Sequence, residues 1–441
     1  ASWTGGTRKG CRPSGVCHDG CVALEITAAR PDPALLDLPW ETPLEEWPEE
    51  FLAALPRGIS RHVVRFVRLS NRVLAVKEIK TDIAFREYHL LRTLGRLDLP
   101  CVEPFGIVSG REQGDGTELD GCLVTRHLQF SLPYRALFSQ TLRPDTAKRL
   151  IDALAVLLVR LHLAGFWWGD VSLSNTLFRR DAGAFAAYLV DAETGEVHHE
   201  LTRGQREHDL DIARVNIAGE LMDLEAGGLL HESADPVETS NRIVTRYHDL
   251  WQELTGQERF EKGDRWRVDA RIRRLNELGF DVDELAISTD LGGTQIQIQP
   301  KVVDAGHHSR RLLRLTGLDV EENQARRLLN DLDSYRASQD RQNEDEEIVA
   351  HDWLARVYEP ITRKVPREYT AKLEPAEVFH EVLEHRWYMS EKANHDVPIE
   401  EALADYVATV LPGKPDEKAV LGVDTVEMPV VALFGDELGG R

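Results

Sequence analysis

Long hydrophobic runs are absent from this chain of 441 residues. A membrane-spanning helix needs about 18 or more consecutive apolar residues, and the most apolar segment, 150–168, is interrupted by Asp152 and Arg160. The sequence therefore predicts no transmembrane helix, and we expect this segment to be a buried helix. With 42% hydrophobic residues the chain can bury a sizeable core, and its length allows two or three domains.

Basic residues are outnumbered by acidic ones. The chain has 53 Lys and Arg against 75 Asp and Glu, which gives a formal net charge of −22. Such a chain is repelled by nucleic-acid phosphates unless a local basic patch compensates. Five arginines between positions 310 and 327 are better explained as a solvated helix face than as such a patch. We therefore expect no nucleic-acid partner, and salt-sensitive binding through these arginines stays open as an alternative.

Cysteines number five, and three of them, Cys11, Cys17 and Cys21, lie within the first 21 residues. Their C-x5-C-x3-C spacing does not match the paired C-x2-C ligands of zinc sites. An odd number of cysteines without a disulfide pattern is typical of a reducing compartment, so we expect a cytoplasmic protein. Residues 1–21 show no apolar periodicity and are predicted to be a disordered or non-native extension.

The order of predicted elements indicates an α+β fold. A Pro- and Trp-rich lead-in at 22–54 is followed by two β-rich segments around a turn at 70–72, then a helix and two further strands at 103–109 and 122–128. From Pro144 onward helices predominate. Strands segregated from helices in this way are typical of an α+β domain rather than of a doubly wound sheet. A small β-rich lobe is thus predicted to precede a larger helical lobe.

The strand-rich half carries a lysine suited to phosphate binding. Lys77 ends the segment Leu-Ala-Val-Lys, where its ammonium group could reach the phosphates of a nucleotide. Because a lysine side chain is flexible, it needs a carboxylate to hold it in place, and Glu87, ten residues on in the next helix, is the candidate. Each residue alone would more simply be a strand-edge lysine or a solvated glutamate.

The strongest local pattern follows the apolar helix. Asp170 and Asn175, separated by four residues, would place a base and a metal ligand on one loop, and Asp191 ends a strand sixteen residues later. Mg²⁺ prefers hard oxygen ligands of this kind, and phosphoryl transfer mainly requires positioning of the triphosphate, the metal ion and the acceptor hydroxyl. Asp209 and Asp211 are candidates to brace this loop from a helix, or simply to cap that helix.

Together these segments resemble the protein-kinase-like fold, in particular the bacterial lipopolysaccharide kinase (Kdo/heptose kinase) branch. The resemblance implies a small β-rich N-lobe and a helical C-lobe, with ATP and Mg²⁺ as cofactors. It implies Asp170 as the catalytic base and Lys77 as the phosphate clamp, with Glu87 as partner of the lysine. Asn175 and Asp191 would be the Mg²⁺ ligands.

Three further nucleotide contacts are expected from this resemblance, at Gly58, Arg126 and Leu128. Gly58 belongs to the segment Arg-Gly-Ile-Ser at 57–60, which stands in place of a full G-x-G-x-x-G loop. The phosphate cover is therefore expected to be atypical.

Other positions also depart from protein kinases. The catalytic-loop His and Arg are replaced by Trp168 and Gly169, and the residues after the metal-binding Asp are Ala192 and Glu193 instead of Phe and Gly. No Ala-Pro-Glu motif follows. These departures favour a small-molecule phosphotransferase over a protein kinase with a conventional activation switch.

The rest of the chain predicts a separate domain. The expected boundaries are a kinase-like domain at 55–228, a mainly helical C-terminal α+β domain of unknown function at 229–410 and a flexible tail at 411–441. The chain as a whole resembles bacterial proteins with this domain order. His380 and His385 flank Glu-Val-Leu-Glu, but zincin histidines are four apart rather than five. We therefore predict surface histidines on an amphipathic helix and no zinc hydrolase.

These features predict an ATP- and Mg²⁺-dependent phosphotransferase that acts on a hydroxyl group of a small molecule, a sugar or glycolipid, or a protein. The C-terminal domain would select the substrate or bind a protein partner. Two alternatives stay open: transfer of AMP on the same fold, and a pseudokinase that serves as a regulatory scaffold with or without nucleotide. The irregular glycine loop mildly favours the pseudokinase, whereas Lys77, Asp170, Asn175 and Asp191 argue against it.

Overall fold

The computed structural model of the protein describes residues 2–4, 24–29, 32–53, 62–70, 72–138, 144–230, 234–261, 266–289 and 295–418. Gly58 and residues 419–441 of the predicted tail lie outside the described residues. Within the predicted extension at 1–21, residues 2–4 are described, and they form a strand paired with residues 25–27. The predicted disordered or non-native extension therefore includes three residues that the structure describes as a strand.

The N-terminal lobe is built on one antiparallel sheet. Its elements in chain order are β1 (Ser2–Thr4), β2 (Glu25–Ala28), β3 (Val63–Leu69), β4 (Arg72–Ile79), α1 (Thr81–Arg96), β5 (Pro104–Ser109), β6 (Arg111–Glu112), β7 (Glu118–Leu119) and β8 (Gly121–Arg126). Six strands form the sheet in the order β1-β2-β5-β8-β4-β3, and β6 and β7 form a separate hairpin. Helix α1 packs against β5 and β8. The lead-in contains three short 3-10 helices, Pro33–Asp37, Leu44–Glu46 and Glu49–Phe51.

Alternation along β4 decides which way the lysine points. Side chains of a strand face opposite sides of the sheet in turn. Leu74 and Val76 are buried in the apolar cluster that covers one face together with the lead-in. Lys77 therefore points to the other face, where α1 buries Leu91 and Leu94 in the main core.

The C-terminal lobe is mostly helical. It contains β9 (Ser131–Pro133), α2 (Tyr134–Phe138), α3 (Pro144–Leu163), β10 (Phe166–Trp167), β11 (Thr176–Asp181), β12 (Ala184–Leu189), β13 (Glu196–Val197), α4 (Arg203–Ala226) and α5 (Pro236–Thr255). A small sheet has the order β12-β11-β9, and β10 pairs with β13. The predicted apolar helix is α3, whose leucines from Leu150 to Leu161 are fully buried.

Helix α5 belongs to the same core. Ile243, Tyr247, Leu250 and Leu254 recur at helical spacing and are buried against α3 and α4. The boundary predicted at residue 228 therefore falls too early, because the core of the kinase-like part continues to residue 255 at least.

The remaining residues form the C-terminal domain. They contain β14 (Glu258–Glu261), α6 (Trp266–Glu277), β15 (Phe280–Thr289), β16 (Gln295–Ala305), α7 (His307–Thr316), α8 (Glu322–Ser338), α9 (Glu346–Trp353), α10 (Glu359–Arg363), α11 (Pro375–Ala393) and α12 (Ile399–Thr409). The strands form a sheet in the order β14-β16-β15. Helices α7 to α12 enclose a second apolar core. The predicted fold class, a two-lobed kinase-like α+β domain followed by a mainly helical α+β domain, is confirmed.

Two details of the C-terminal domain differ from the sequence prediction. His380 is only 8% exposed, so it is a buried residue of α11 and not a surface histidine, whereas His385 pairs with Asp405 at 2.7 Å. Residues 411–418 pack onto the domain, where Glu417 is 4% exposed. The flexible tail predicted from residue 411 therefore cannot include these eight residues.

No helix in the described part of the chain has the length and apolar content that a membrane span requires.

Candidate active site

Lys77 lies at the centre of three carboxylates. Its Nζ atom is 3.1 Å from Oε2 of Glu87, 2.7 Å from Oδ2 of Asp191 and 3.2 Å from Oε2 of Glu193. Strand β4 supplies the lysine, α1 supplies Glu87, and the segment after β12 supplies the other two. The structure thus brings together Lys77, Glu87 and Asp191, three of the residues singled out from the sequence. We call Lys77, Glu87, Asp191 and Glu193 the Lys77 cluster.

Burial and charge act against each other in this cluster. Burial alone would lower the pKa of Lys77, but Glu87 and Asp191 raise it above its ordinary value, so the amine stays charged. Burial, together with the negative charge of Asp191, raises the pKa of Glu87, and Lys77 opposes that shift. The second oxygen of Glu87 accepts a hydrogen bond from the backbone amide of Ala192 at 3.3 Å. Glu87 therefore ties α1 both to the lysine and to the segment after β12.

Glu193 was not among the predicted site residues. It stands where the resemblance leads one to expect Gly, and its backbone amide donates to Oδ1 of Asp191 at 3.1 Å. Its carboxylate lies between Lys77 and Nε2 of His62, the latter at 3.1 Å. The sequence signal was a second acid two residues after Asp191, but only the fold shows that it turns toward the lysine.

Asp170 is held by two side-chain amides. Nδ2 of Asn175 donates to Oδ2 of Asp170 at 3.1 Å and to its carbonyl oxygen at 3.0 Å. Nδ2 of Asn216, on α4, lies 3.4 Å from the other carboxylate oxygen and donates to the carbonyl of Val171 at 3.1 Å. Asn175 in turn accepts a hydrogen bond from the amide of Val190 at 3.0 Å. The carboxylate of Asp170 therefore has one fixed orientation, linked to the end of β12.

Asp209 supports this loop from behind. Its fully buried carboxylate accepts hydrogen bonds from the backbone amides of Trp168 and Gly169, both at 2.8 Å, and lies 3.1 Å from Nε2 of His162. Nδ1 of His162 is 2.8 Å from the hydroxyl of Tyr247. Burial lowers the pKa of His162, although Asp209 opposes the shift, so we infer a neutral ring that donates to Asp209 and accepts from Tyr247.

The other supporting residues of α4 were missed or misjudged. Asp211 has a side chain that is 72% exposed and pairs with Arg214, so only Asp209 of the two candidates braces the loop. Glu220 accepts hydrogen bonds from the amides of residues 173 and 174, both at 2.8 Å. Asp209, Asn216 and Glu220 are seven and four residues apart and therefore share one face of the helix. That spacing of polar residues was the available signal.

The chemistry of the donor set fits a hard divalent cation. The described part of the chain contains one group of side chains that could surround a metal ion, namely Glu87, Asp191 and Glu193. One carboxylate oxygen of each residue lies within 4.8 Å of those of the other two. Carboxylate oxygens are the ligands that Mg²⁺ prefers. Of the two predicted ligands, Asp191 belongs to this group, whereas the amide nitrogen of Asn175 donates to Asp170.

Two of the other predicted nucleotide contacts, Arg126 and Leu128, lie outside the Lys77 cluster. Gly58 is outside the described residues. Arg126 is exposed at the end of β8 and pairs with Glu103 at 2.9 Å. Leu128 is half-buried, and its carbonyl accepts a hydrogen bond from the hydroxyl of Ser131 at 2.6 Å. Arg126 and Leu128 thus lie along the connection between the lobes rather than in the Lys77 cluster.

Comparison with known proteins bears on both halves of the chain. Residues 65–218 match the model of the lipopolysaccharide kinase (Kdo/WaaP) family, and residues 249–411 match that of a domain of unknown function, DUF4032. Comparison with curated proteins gives no match. Among solved structures, one described as WaaP in complex with acyl carrier protein is 16% identical, with a TM-score of 0.33, and the similarity covers 56% of this chain and 96% of that one. The two matched segments are similar to a lipopolysaccharide kinase (Kdo/WaaP) and to DUF4032, in that order along the chain, which confirms the resemblance drawn from the motifs.

Proposed function

We propose that the kinase-like part of the chain is an ATP- and Mg²⁺-dependent phosphotransferase that acts on a hydroxyl group. The observation that carries this proposal is the charged, largely buried amine of Lys77, held by Glu87 at 3.1 Å and Asp191 at 2.7 Å. Burying an ammonium group is costly unless it is paired. The match of residues 65–218 to a kinase family supports the same chemistry.

The Lys77 cluster would bind the nucleotide. Lys77 donates to its phosphates, and Glu87 keeps the flexible lysine stem directed toward them. Asp191 and Glu193 would hold Mg²⁺, which would neutralise phosphate charge when bound. Glu193 would be a ligand additional to Asn175 and Asp191, the two that were predicted from the sequence.

Asp170 would act on the acceptor. It accepts the proton of the attacking hydroxyl, while the amides of Asn175 and Asn216 keep its carboxylate aligned. Asp209 keeps the loop that carries Asp170 in place through the amides of residues 168 and 169.

A small-molecule acceptor, such as a sugar or glycolipid hydroxyl, is the class that we favour. The name of the matched family supports it, and so does the backbone at Gly169. This residue has a φ of 76°, and a Cβ atom there would lie 2.9 Å from the ring of Trp167. An arginine therefore does not fit at this position, where regulated protein kinases carry one.

The test is ATP turnover by the full chain with Mg²⁺, with γ-labelled and α-labelled ATP in parallel. Asp170→Ala and Asp191→Ala should both abolish release or transfer of the γ label, whereas Asp211→Ala, which removes an exposed carboxylate of α4, should leave it unchanged. Transfer of the α label would replace phosphoryl transfer by AMP transfer. A folded protein that binds no ATP in the presence of Mg²⁺ would contradict the proposal.

A nucleotide-binding scaffold is the second candidate, and Glu193 is the observation that favours it. Its carboxylate lies 3.2 Å from Lys77 Nζ, so it competes with phosphates for the same amine. If Glu193 blocks the site, Glu193→Ala should bind ATP more tightly than the natural protein. If Glu193 holds Mg²⁺, the same variant should lose Mg²⁺-dependent binding.

A further inference from the structure

The hairpin of β11 and β12 connects the two halves of the candidate active site. It begins directly after Asn175 and ends two residues before Asp191. Its base is closed by the hydrogen bond from the amide of Val190 to the carbonyl of Asn175, at 3.0 Å. The orientation of this hairpin therefore helps to set where Asn175 and Asp191 lie relative to each other.

The tip of the hairpin is buried in the C-terminal domain. Asp181, only 2% exposed, accepts hydrogen bonds from the backbone amide of Gln324 at 2.7 Å and from Nδ2 of Asn323 at 2.8 Å. Both donors lie in the first turn of α8, where unpaired backbone amides favour an anion. The carboxylate of Asp181 thus helps to cap α8, together with the capping box that Glu321 and Gln324 form at the same end of the helix.

The first turn of helix α11 contacts the β11–β12 hairpin at the turn between its strands. Glu377, 3% exposed, accepts from the backbone amide of Ala182 at 2.8 Å and from Nε2 of Gln324 at 3.0 Å. The same amide nitrogen of Gln324 donates to the carbonyl of Arg180 at 3.1 Å. Ala182 and Gly183 both have positive φ, 49° and 82°, so the two-residue turn has the tight geometry of a β-hairpin.

Ion pairs flank the tip on both strands. Arg179 lies 2.8 Å from Glu321 and 2.6 Å from Glu374, and the hydroxyl of Tyr188 donates to Glu321 at 2.7 Å. Arg180 pairs with Glu417 at 2.6 Å. The donors and acceptors of the C-terminal domain therefore reach both strands and the turn between them.

We propose that the C-terminal domain is a positioning domain, which grips the tip of the β11–β12 hairpin and thereby aligns Asn175 and Asp191. A two-stranded hairpin is marginally stable by itself, and β9 adds only the short pairing of residues 131–133. Through this grip the C-terminal domain would influence the candidate active site, although it contributes no residue to that site. Its catalytic consequence rests on the proposed function, whereas its structural part does not.

Hydrogen exchange of the full chain tests the structural part. Asp181→Ala removes the carboxylate that caps α8, and the milder Asn323→Ala removes one donor from the C-terminal domain. Amides of β12 and of Val190 should exchange about tenfold faster or more in the first variant, and by a smaller factor in the second. Asp152→Ala is the matched control, because it removes a carboxylate that also accepts two hydrogen bonds, from Arg242 on α5. Unchanged exchange in both Asp181→Ala and Asn323→Ala would overturn the proposal.

ATP with MgCl₂ then tests the catalytic part. A positioning role predicts, for the folded fraction of Asn323→Ala, a lower kcat and a higher KM for ATP, whereas a merely structural role lowers only the amount of folded enzyme. Faster exchange with unchanged kcat and KM would refute the positioning role. If the natural protein binds ATP without turnover, the proposed activity fails, and the Kd for Mg²⁺-ATP becomes the readout. A higher Kd in Asn323→Ala would then support the positioning role, and an unchanged Kd would refute it.

Discussion

Asp209→Ala should be among the most destabilising substitutions in the kinase-like part of the chain. The carboxylate is fully buried and accepts from two backbone amides and from His162. A buried donor left without an acceptor costs roughly 1–3 kcal/mol, so three such donors predict a loss of about 3–9 kcal/mol in the free energy of unfolding. Because a domain has only about 5–15 kcal/mol in total, this loss would leave the kinase-like part marginally folded.

Asp209→Asn separates the loss of charge from the loss of volume. Its single amide oxygen can face Trp168 and His162 and satisfy both of these donors. Its NH₂ group then faces the amide of Gly169, which loses its acceptor at 2.8 Å. We therefore expect a loss of about 1–3 kcal/mol, smaller than that of the alanine variant.

Urea unfolding followed by tryptophan fluorescence measures both variants, since Trp168 is fully buried beside this carboxylate. Asp211→Asn is the matched control: it changes an exposed carboxylate two residues along the same helix and should shift stability by less than about 0.5 kcal/mol. A loss below about 1 kcal/mol for Asp209→Ala would refute the argument, because the amides of residues 168 and 169 would then have another acceptor.

Two further predictions concern the backbone of the loop that carries Asp170 and the grip on the hairpin. Gly169→Ala forces an alanine into a left-handed conformation 2.9 Å from the ring of Trp167 and should cost more than about 1–2 kcal/mol. At Gly204 an added Cβ atom meets no atom within 4 Å, so Gly204→Ala should stabilise α4 by about 0.5–1 kcal/mol. Thermal unfolding compares the Gly169→Ala and Gly204→Ala variants, and equal effects on stability would contradict the steric argument. Burial raises the pKa values of Asp181 and Glu417 to about 7, above an unfolded value of about 4. The folded chain then binds more protons between these values, so the contribution of these groups to stability should fall as pH rises from 4 to 7 and level off above 7. Urea midpoints at pH 5 and pH 8 should differ less in Asp181→Asn than in the natural protein; an unchanged difference would contradict this assignment.

Local sequence signals predicted the parts of the site that one element determines. Strand alternation places Lys77 on the face of α1, and helical periodicity turns Glu87 inward with Tyr88 and Leu91. Asp170 and Asn175 lie on a single loop with four residues between them. The contact between their side chains therefore follows from their proximity in the chain alone. These signals are short-range, and they were sufficient for the main strands and helices of the kinase-like part but not for short elements such as β9, β10 and β13.

Contacts between distant segments could not be predicted in this way. Periodicity shows which face of a helix is buried but not which element covers it, which is why α5 was assigned to the wrong side of the domain boundary and His380 to the surface. The hydrogen bond from Ala182 to Glu377 joins residues 195 positions apart, and no pattern in either segment specifies the other. Glu193 was missed for a related reason, because its role depends on the turn that directs it toward Lys77.

The polar character of the grip on the hairpin bears on what it does. Two arginines meet several carboxylates there, and the side chains of Asp181, Glu377 and Glu417 are nearly inaccessible to solvent. Desolvation offsets much of the attraction in buried ion pairs, so such a network contributes little net stability compared with an apolar contact of the same size. Each of its hydrogen bonds, however, requires one particular position of the hairpin tip. We therefore expect mild changes at this interface, such as Asn323→Ala, to alter exchange in β12 and turnover more than they alter the unfolding midpoint.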